Sequence, residues 1–436
     1  MLVCKRWRDT IIITPRLWSK IYFGFLTGPR FSKMASTEGM QVCRTSAEVQ
    51  AAVARTGSAP LYIMVEIAHM HEFLSGARVN CTHCCSTFKQ LAQSDMERWS
   101  SLQVIHSYIH PPPSGLFRGH FSSLRELSIV EGLSGEFWAH EVLPDAPALE
   151  AVSITLNTFG SQLLSKLVSY PSLSRLRRLA VSVTAMSWIS TKEFIQNSPN
   201  LEELTLSPAN LTGVEVTPAS SQFLCRLTLY TAGLPRLPPI LASLPVLSYL
   251  KLICNSRMDS TPPEFITLPA LQQLSIIGQF QFLPCILAPK LYSLHLEQGP
   301  YFLSPESFMN AAWSTTRAHS HMLQPSRLTI VDVYLQSKVL LMILKQNPQL
   351  TTFNLHGGLP RANFFRKLAL GSEDIAPLLE NIYLREMVEM TLWKVIRPSV
   401  MAIVRARHGP GKPLKSLFCI SSSGGEETAT GREFCV

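Results

Sequence analysis

Apolar residues return along this chain in one phrase, Pro-x-Leu-x-x-Leu-x-Leu. It reads Pro199-Asn-Leu-Glu-Glu-Leu-Thr-Leu206, Pro245-Val-Leu-Ser-Tyr-Leu-Lys-Leu252, Pro269-Ala-Leu-Gln-Gln-Leu-Ser-Ile276 and Pro289-Lys-Leu-Tyr-Ser-Leu-His-Leu296. The last two apolar positions lie two apart, which places them on one face of a strand. The first enters the core from the turn before it. The residues between them are mostly polar and face the other way. A short strand repeated in this manner predicts a solenoid, in which each strand pairs with its neighbour in the next repeat.

The leading apolar residue falls at Leu124, Leu149, Leu176, Leu201, Leu224, Leu247, Leu271, Leu291, Leu328, Leu350, Leu379 and Leu414. Most intervals lie in the window of roughly 20–29 residues typical of leucine-rich repeats. Two longer gaps are expected to hold an insertion (297–325) and an eroded repeat (386–412). Two earlier strands are expected at Pro60–Ile67 and Trp99–Ile105.

The segments between phrases carry helix signals. Ser190-Thr-Lys-Glu193 has capping-box spacing. Ser304-Pro305 offers an N-cap followed by Pro at the first helical position, ahead of Phe308. Lys338–Lys345 reads as a short apolar helix closed by Asn347-Pro348, and Pro398–Arg407 as a terminal one. The Pro that opens each phrase is expected to end the helix before it. The predicted fold class is therefore α/β. It is an irregular leucine-rich-repeat horseshoe, with parallel strands on the concave face and helices on the convex face. Irregularity is expected because the repeats lack a regular Asn to ladder their turns. The polar tail from Ser421 is expected to be disordered.

Composition narrows the picture. Hydrophobic residues make up 46% of 436 and charged residues 16%, enough apolar material for a continuous core. The net charge is +9, from 39 basic and 30 acidic residues. It is spread out, densest at Lys5-Arg6-Trp7-Arg8 and Arg175-Leu-Arg177-Arg178. That distribution suits a mild bias towards acidic partners better than nucleic acid. The 10 cysteines are scattered among apolar positions, as at Cys4, Cys225, Cys254, Cys285 and Cys419, which suits a reducing compartment. The first residues are charged where a secretory apolar region would begin, and no apolar run is long enough to span a membrane. The expectation is a cytoplasmic or nuclear protein that is not secreted.

Candidate chemistry is sparse. Cys81-Thr-His83-Cys84-Cys85 has the look of half a zinc site, but a second ligand pair at compatible spacing is missing. His69-Met-His71-Glu72 lacks the second His of a zincin helix. There is no nucleophile elbow, P-loop or dinucleotide fingerprint. Neither a metal, a cofactor nor a catalytic set is expected, and the reading turns to binding. If Leu204 and Leu206 point inward, Glu203, Thr205 and Ser207 point outward. The same rule turns Arg178, Arg226, Tyr230, Tyr249, Lys251, His295, His356, Tyr383 and Arg385 outward. Tyr and Arg are favoured at binding hot spots, and a basic face suits an acidic or phosphorylated segment.

The amino-terminal stretch adds a further clue. Val3, Trp7 and Ile11 are spaced by four, one stripe of a short helix. Thr14-Pro15 then starts a second turn carrying Leu17 and Trp18. The pattern Val-Cys-Lys-x-Trp-Arg … Thr-Pro-x-Leu-Trp-x-x-Ile resembles the second half of an F-box. It is most similar to the large fungal, basidiomycete-type group in which degenerate leucine-rich repeats follow the F-box. Residues 57–67 and 94–105 resemble that group's region just after the F-box. The resemblance implies a subunit that docks on the adaptor of an SCF-type cullin–RING ubiquitin ligase through Val3, Trp7, Ile11, Pro15, Leu17 and Trp18. The repeats would then hold a protein substrate, and no residue would be catalytic. One departure stands out: the Leu-Pro-x-Glu-Ile/Leu helix that opens an F-box does not precede Val3. The alternative expectation is a leucine-rich-repeat scaffold that has lost adaptor binding. The domain expectation is a partial F-box at 1–25, a linker or helical segment at 26–56, repeats at 57–420 and the tail at 421–436.

Overall fold

The computed structural model describes residues 14, 19–24, 41–43, 46–67, 95–106, 119–131, 145–156, 171–183, 189–190, 197–207, 209–210, 222–231, 241–242, 244–254, 265–278, 283, 286–299, 323–333, 335–357, 362–370, 375–385, 390–407, 414–420 and 432–434. They fall into two compact units, Met1–Asn210 and Leu211–Val436.

The first unit is built on a parallel ladder. Its strands are β1 (Lys20–Gly24), β2 (Gln41–Cys43), β3 (Leu61–Ile67), β4 (Trp99–His106), β5 (Glu126–Glu131), β6 (Ala151–Leu156), β7 (Arg178–Val183) and, after a short β8 (Ile189–Ser190), β9 (Glu203–Ser207). β1 pairs with both β2 and β3, and the order then follows the chain from β3 to β7 and on to β9. The ladder thus begins at Lys20, ahead of the boundary expected at 57. Helix α1 (Ser46–Arg55) buries Val49, Ala52 and Val53.

Register explains the core. Leu102, Leu127, Val152, Leu179 and Leu204 form one inward row, and Val104, Ile129, Ile154, Val181 and Leu206 a second. None is more than 2% exposed. The leading residues Leu124, Leu149, Leu176 and Leu201 form a third buried row. Each such side chain contributes about 1.5–3 kcal/mol through burial. Trp99 is fully buried at the head of β4 and tilts against Phe121, ring centres 5.4 Å apart. Beside it Arg98 donates from Nη1 to Asp95 Oδ1 at 2.8 Å and from Nη2 to the Ala59 carbonyl at 3.0 Å, fastening the turn after α1 to the turn before β4.

The second unit repeats the plan. After β10 (Ala209–Asn210), which closes the first unit by pairing with β8, come β11 (Arg226–Thr231), β12 (Tyr249–Cys254), β13 (Ile266–Thr267), β14 (Gln273–Gly278), β15 (Ile286–Leu287), β16 (Ser293–Glu297), β17 (Arg327–Val331), β18 (Thr352–His356), β19 (Asn381–Arg385), β20 (Ser416–Ile420) and β21 (Arg432–Phe434). β11, β12, β14 and β16 to β20 are parallel neighbours in that order. β21, within the polar tail, returns antiparallel against β20.

Here the register corrects one reading. Leu328 pairs with Leu294, so it is the second apolar residue of its phrase and not the first. Pro325 is buried three residues earlier, where Leu291 stands in the repeat before. A Pro in place of the usual leading Leu hid the true phase.

The Pro of the phrase closes a helix at Pro348, as expected, and it also has a second job. The N–H of Leu201 donates to the Ser198 carbonyl, Leu271 to Leu268, Leu291 to Ala288, Leu350 to Asn347 and Leu379 to Ala376, all at 3.1–3.2 Å. These are β-turns, and Pro199, Pro269, Pro289, Pro348 and Pro377 hold their second position. Pro presets the φ required there. Behind each turn a carbonyl accepts two N–H groups of the next repeat, as Ser248 does from Gln272 and Gln273. Hydroxyls reinforce the ladder where Asn was missed. Ser248 Oγ donates to the Cys225 carbonyl at 3.0 Å and Thr351 Oγ1 to that of Ser326 at 3.0 Å.

Helices are fewer than expected among the described residues. α2 (Ser337–Gln346) matches the predicted segment and buries Val339, Leu340, Ile343 and Leu344. α3 (Ala362–Leu370) buries Phe364, Phe365, Leu368 and Ala369. α4 (Met390–Arg407) starts eight residues before Pro398, which sits exposed inside it. Burial of Val400, Ile403 and Val404 outweighs the local cost of that Pro. Between β14 and β16 the interval is short and holds β15, which pairs with β13 from the interval before β14. Ser190, expected to cap a helix, lies in β8 opposite Asn210. The segment at 304–313 lies outside the described residues.

Arg407 ties the last helices together. Its side chain is buried and donates from Nη1 to the Ala376 carbonyl at 2.9 Å, from Nη2 to Ile375 at 2.5 Å and from Nε to Leu368 at 3.3 Å. Leu368 lies in the last turn of α3, whose final carbonyls lack intrahelical donors. Burial lowers the guanidinium to about 10, so it stays charged at neutral pH.

Candidate functional site

The alternation that buries the leucines also fixes what each unit turns outward. In the first unit one outward row runs Ser101, Glu126, Ala151, Arg178, Glu203, and the next runs Gln103, Ser128, Ser153, Ala180, Thr205. The second row is short-chained from β5 onward. Together the two rows line an open trough of about 360 Å³. Its largest polar feature is an ion pair between strands that are not neighbours. Arg178 Nη2 lies 2.8 Å from Glu126 Oε1, with Ala151 at the register position between them. A larger residue there would stand in the way. Arg125–Glu150 at 3.7 Å and Arg177–Glu202 at 3.5 Å flank it one position earlier in each repeat. Arg178 is therefore outward, as read, but it already has an anion.

The second unit presents a different face. One row runs Arg226, Tyr249, Gln273, Ser293, Arg327, Thr352, Asn381, Ser416. The next runs Thr228, Lys251, Ser275, His295, Thr329, Asn354, Tyr383, Phe418, and the third includes Tyr230, Glu297, His356 and Arg385. All the candidate residues of this unit stand on these rows. The guanidinium of Arg226 lies over the Tyr249 ring at 5.0 Å. Tyr383 stacks on Phe418, ring centres 4.9 Å apart and planes 1° from parallel. His356 is the register partner of Arg385. His295 Nε2 lies 3.2 Å from Glu297 Oε2. Asn354 Nδ2 donates to Thr329 Oγ1 at 3.1 Å, while its Oδ1 is buried without a hydrogen-bond partner.

The pattern rule missed Arg327, Phe418, Glu126 and Glu297. Arg327 was lost with the phase of its strand. Phe418 follows the same alternation in the weakest repeat. Glu126 became relevant only once register set it two strands from Arg178.

Val3, Trp7, Ile11, Pro15, Leu17 and Trp18 lie outside the described residues, as do Cys81, His83, Cys84 and Cys85. Among the described residues no three His, Cys, Asp or Glu side chains gather as metal ligands. No helix among them is long and apolar enough to cross a membrane. Cys254 is fully buried, and desolvation pushes its thiol up to about 12.

No family model matches the chain, and no curated protein matches it. Among solved structures, an internalin (inlF) from Listeria monocytogenes is similar at 13% identity. The match covers 79% of this chain and 78% of that one, with a TM-score of 0.31. The mouse RP105/MD-1 complex is similar at 11% identity over 79% and 74%, with a TM-score of 0.23. Both superpositions are too loose to carry an argument. The ladder, its three buried rows and its turn chemistry by themselves define a leucine-rich-repeat fold.

Proposed function

We propose that this chain is a non-enzymatic, F-box-like substrate-recognition subunit of an SCF-type ubiquitin ligase, and that the second unit's outward face captures the substrate. The observation that carries the capture reading is that face itself, where register sets Lys251, His295, Asn354, Tyr383, His356 and Arg385 on shared rows. A face that sets aromatic and cationic groups on shared rows suits a protein segment, and the excess of cations suits an acidic or phosphorylated one. In the first unit, the Arg178–Glu126 pair makes that trough a poorer anion site than the sequence implied. The ligase half of the proposal rests on the resemblance of residues 3–21.

The test is reconstitution of the full chain with the adaptor and cullin subunits. The proposal expects co-purification that W7A and W18A abolish. Recovery of neither subunit would leave a leucine-rich-repeat binding scaffold in place of a ligase subunit.

A further inference from the structure

The last strand of the second unit's parallel ladder, β20, reads Ser-Leu-Phe-Cys-Ile. It holds no charge and no Pro, and it is made of good strand formers. Such an edge is a template for another strand, and proteins blunt it with charge or with a covering segment. Here the cover is β21, which pairs antiparallel through Leu417↔Phe434, Phe418↔Glu433 and Cys419↔Arg432. β21 is only three residues long and carries Arg432 and Glu433. It is reached through Ser421-Ser-Ser-Gly-Gly-Glu-Glu-Thr-Ala-Thr-Gly431, a composition that costs entropy to order. A backbone hydrogen bond contributes little net once water competes for its groups, so three residues make a weak latch.

We propose that the β20 edge is a docking site for a second copy of this chain, held shut by β21. The backbone of β20 already accepts an antiparallel strand, so its outer groups have the required direction. When β21 leaves, β20 pairs with β20 of the second copy about a two-fold axis at Phe418. In that register Leu417 faces Cys419, Ser416 faces Ile420 and Phe418 faces its own mate. This keeps the core side of one ladder continuous with the core side of the other, whereas a slip of one residue would set core side against outward side. The outward rings support the same register. Tyr383 and Phe418 stack at 4.9 Å on adjacent strands, which is about the spacing of strands in any sheet. The Phe418 of the second copy would extend that stack to Tyr383–Phe418–Phe418–Tyr383. The interface is isologous, so it closes at two copies.

The experiment uses the full chain and reads mass by sedimentation. The wild type is expected at its monomer mass of 48.6 kDa. E433P places a residue without an N–H at the centre of β21, and is expected to double the mass. A second variant with Gly at positions 432, 433 and 434 is expected to do the same, which guards against a peculiarity of the Pro. Adding F418K to E433P is expected to return the monomer. A synthetic peptide of residues 424–436 is also expected to return it by refilling the edge. Circular dichroism confirms that each variant keeps the ladder. The proposal is overturned if E433P and the Gly variant stay monomeric at every concentration, if they form open-ended aggregates, or if their dimer survives F418K or the peptide.

Discussion

Arg178 reaches over one strand to meet Glu126, its Nη2 2.8 Å from Oε1, because Ala151 is the residue between them. Both side chains are half exposed, so water screens the pair, and surface pairs of this kind contribute about 0.2–1 kcal/mol. R178A is therefore expected to move the urea midpoint only slightly, with a loss of less than about 1 kcal/mol. Binding of an acidic partner is expected to respond weakly to R178A and strongly to K251E or R385E. A titration comparing the three variants against the same partner checks this.

Arg407 is the opposite case, a buried cation answering three carbonyls. R407M leaves those acceptors without a donor, at a cost of about 1–3 kcal/mol for a buried unsatisfied group and more where several are lost. The expected loss is about 3 kcal/mol by urea unfolding. R407K, with one compact ammonium, should recover only part of it, since it lacks the planar fork.

The turn prolines act mainly through the unfolded chain. Pro199 and Pro348 hold the second position of β-turns that any residue can form, but they restrict the unfolded backbone. P199A and P348A are each expected to lower stability by about 0.4–1 kcal/mol. They lie in different units, so the double variant should lose the sum. Unfolding midpoints of the three variants measure it.

Cys254 makes a chemical prediction. Its buried thiol ionises only near 12, against 9.0 for an exposed one. Above pH 9 the unfolded chain loses this proton and the folded chain keeps it, so this thiol withdraws stability as pH rises from 9 to 12. In the native protein iodoacetamide should spare Cys254, because the thiolate is the nucleophile. Peptide mass mapping should find it alkylated only after denaturant is added.

Much of this fold was legible because burial with a period of two leaves a strong trace. Leu204 and Leu206 point inward as the phrase implies, and Val339, Leu340, Ile343 and Leu344 make α2 visible in the same way. What stayed hidden depended on register or on substitution. Pro325 fills a Leu position, so the strand holding Arg327 and Leu328 was read out of phase. β15 stands in place of a helix because the interval from β14 to β16 is short, a matter of available chain and not of local propensity. Outward positions were legible, but their partners were not. No pattern along the chain tells Arg178 that Glu126 lies within reach, or Tyr383 that Phe418 lies beside it.

The central claim is that the second unit's outward face holds a protein segment for the ligase. The direct measurement is quantitative affinity purification of three full-length chains: wild type, the face variant K251E/Y383A/R385E, and L370K, whose Leu370 is 82% exposed and lies off the strand rows. The account predicts that adaptor and cullin are recovered equally with all three. It also predicts a set of proteins recovered with wild type and L370K and lost from the face variant. Recovery of the same proteins with all three chains would contradict it.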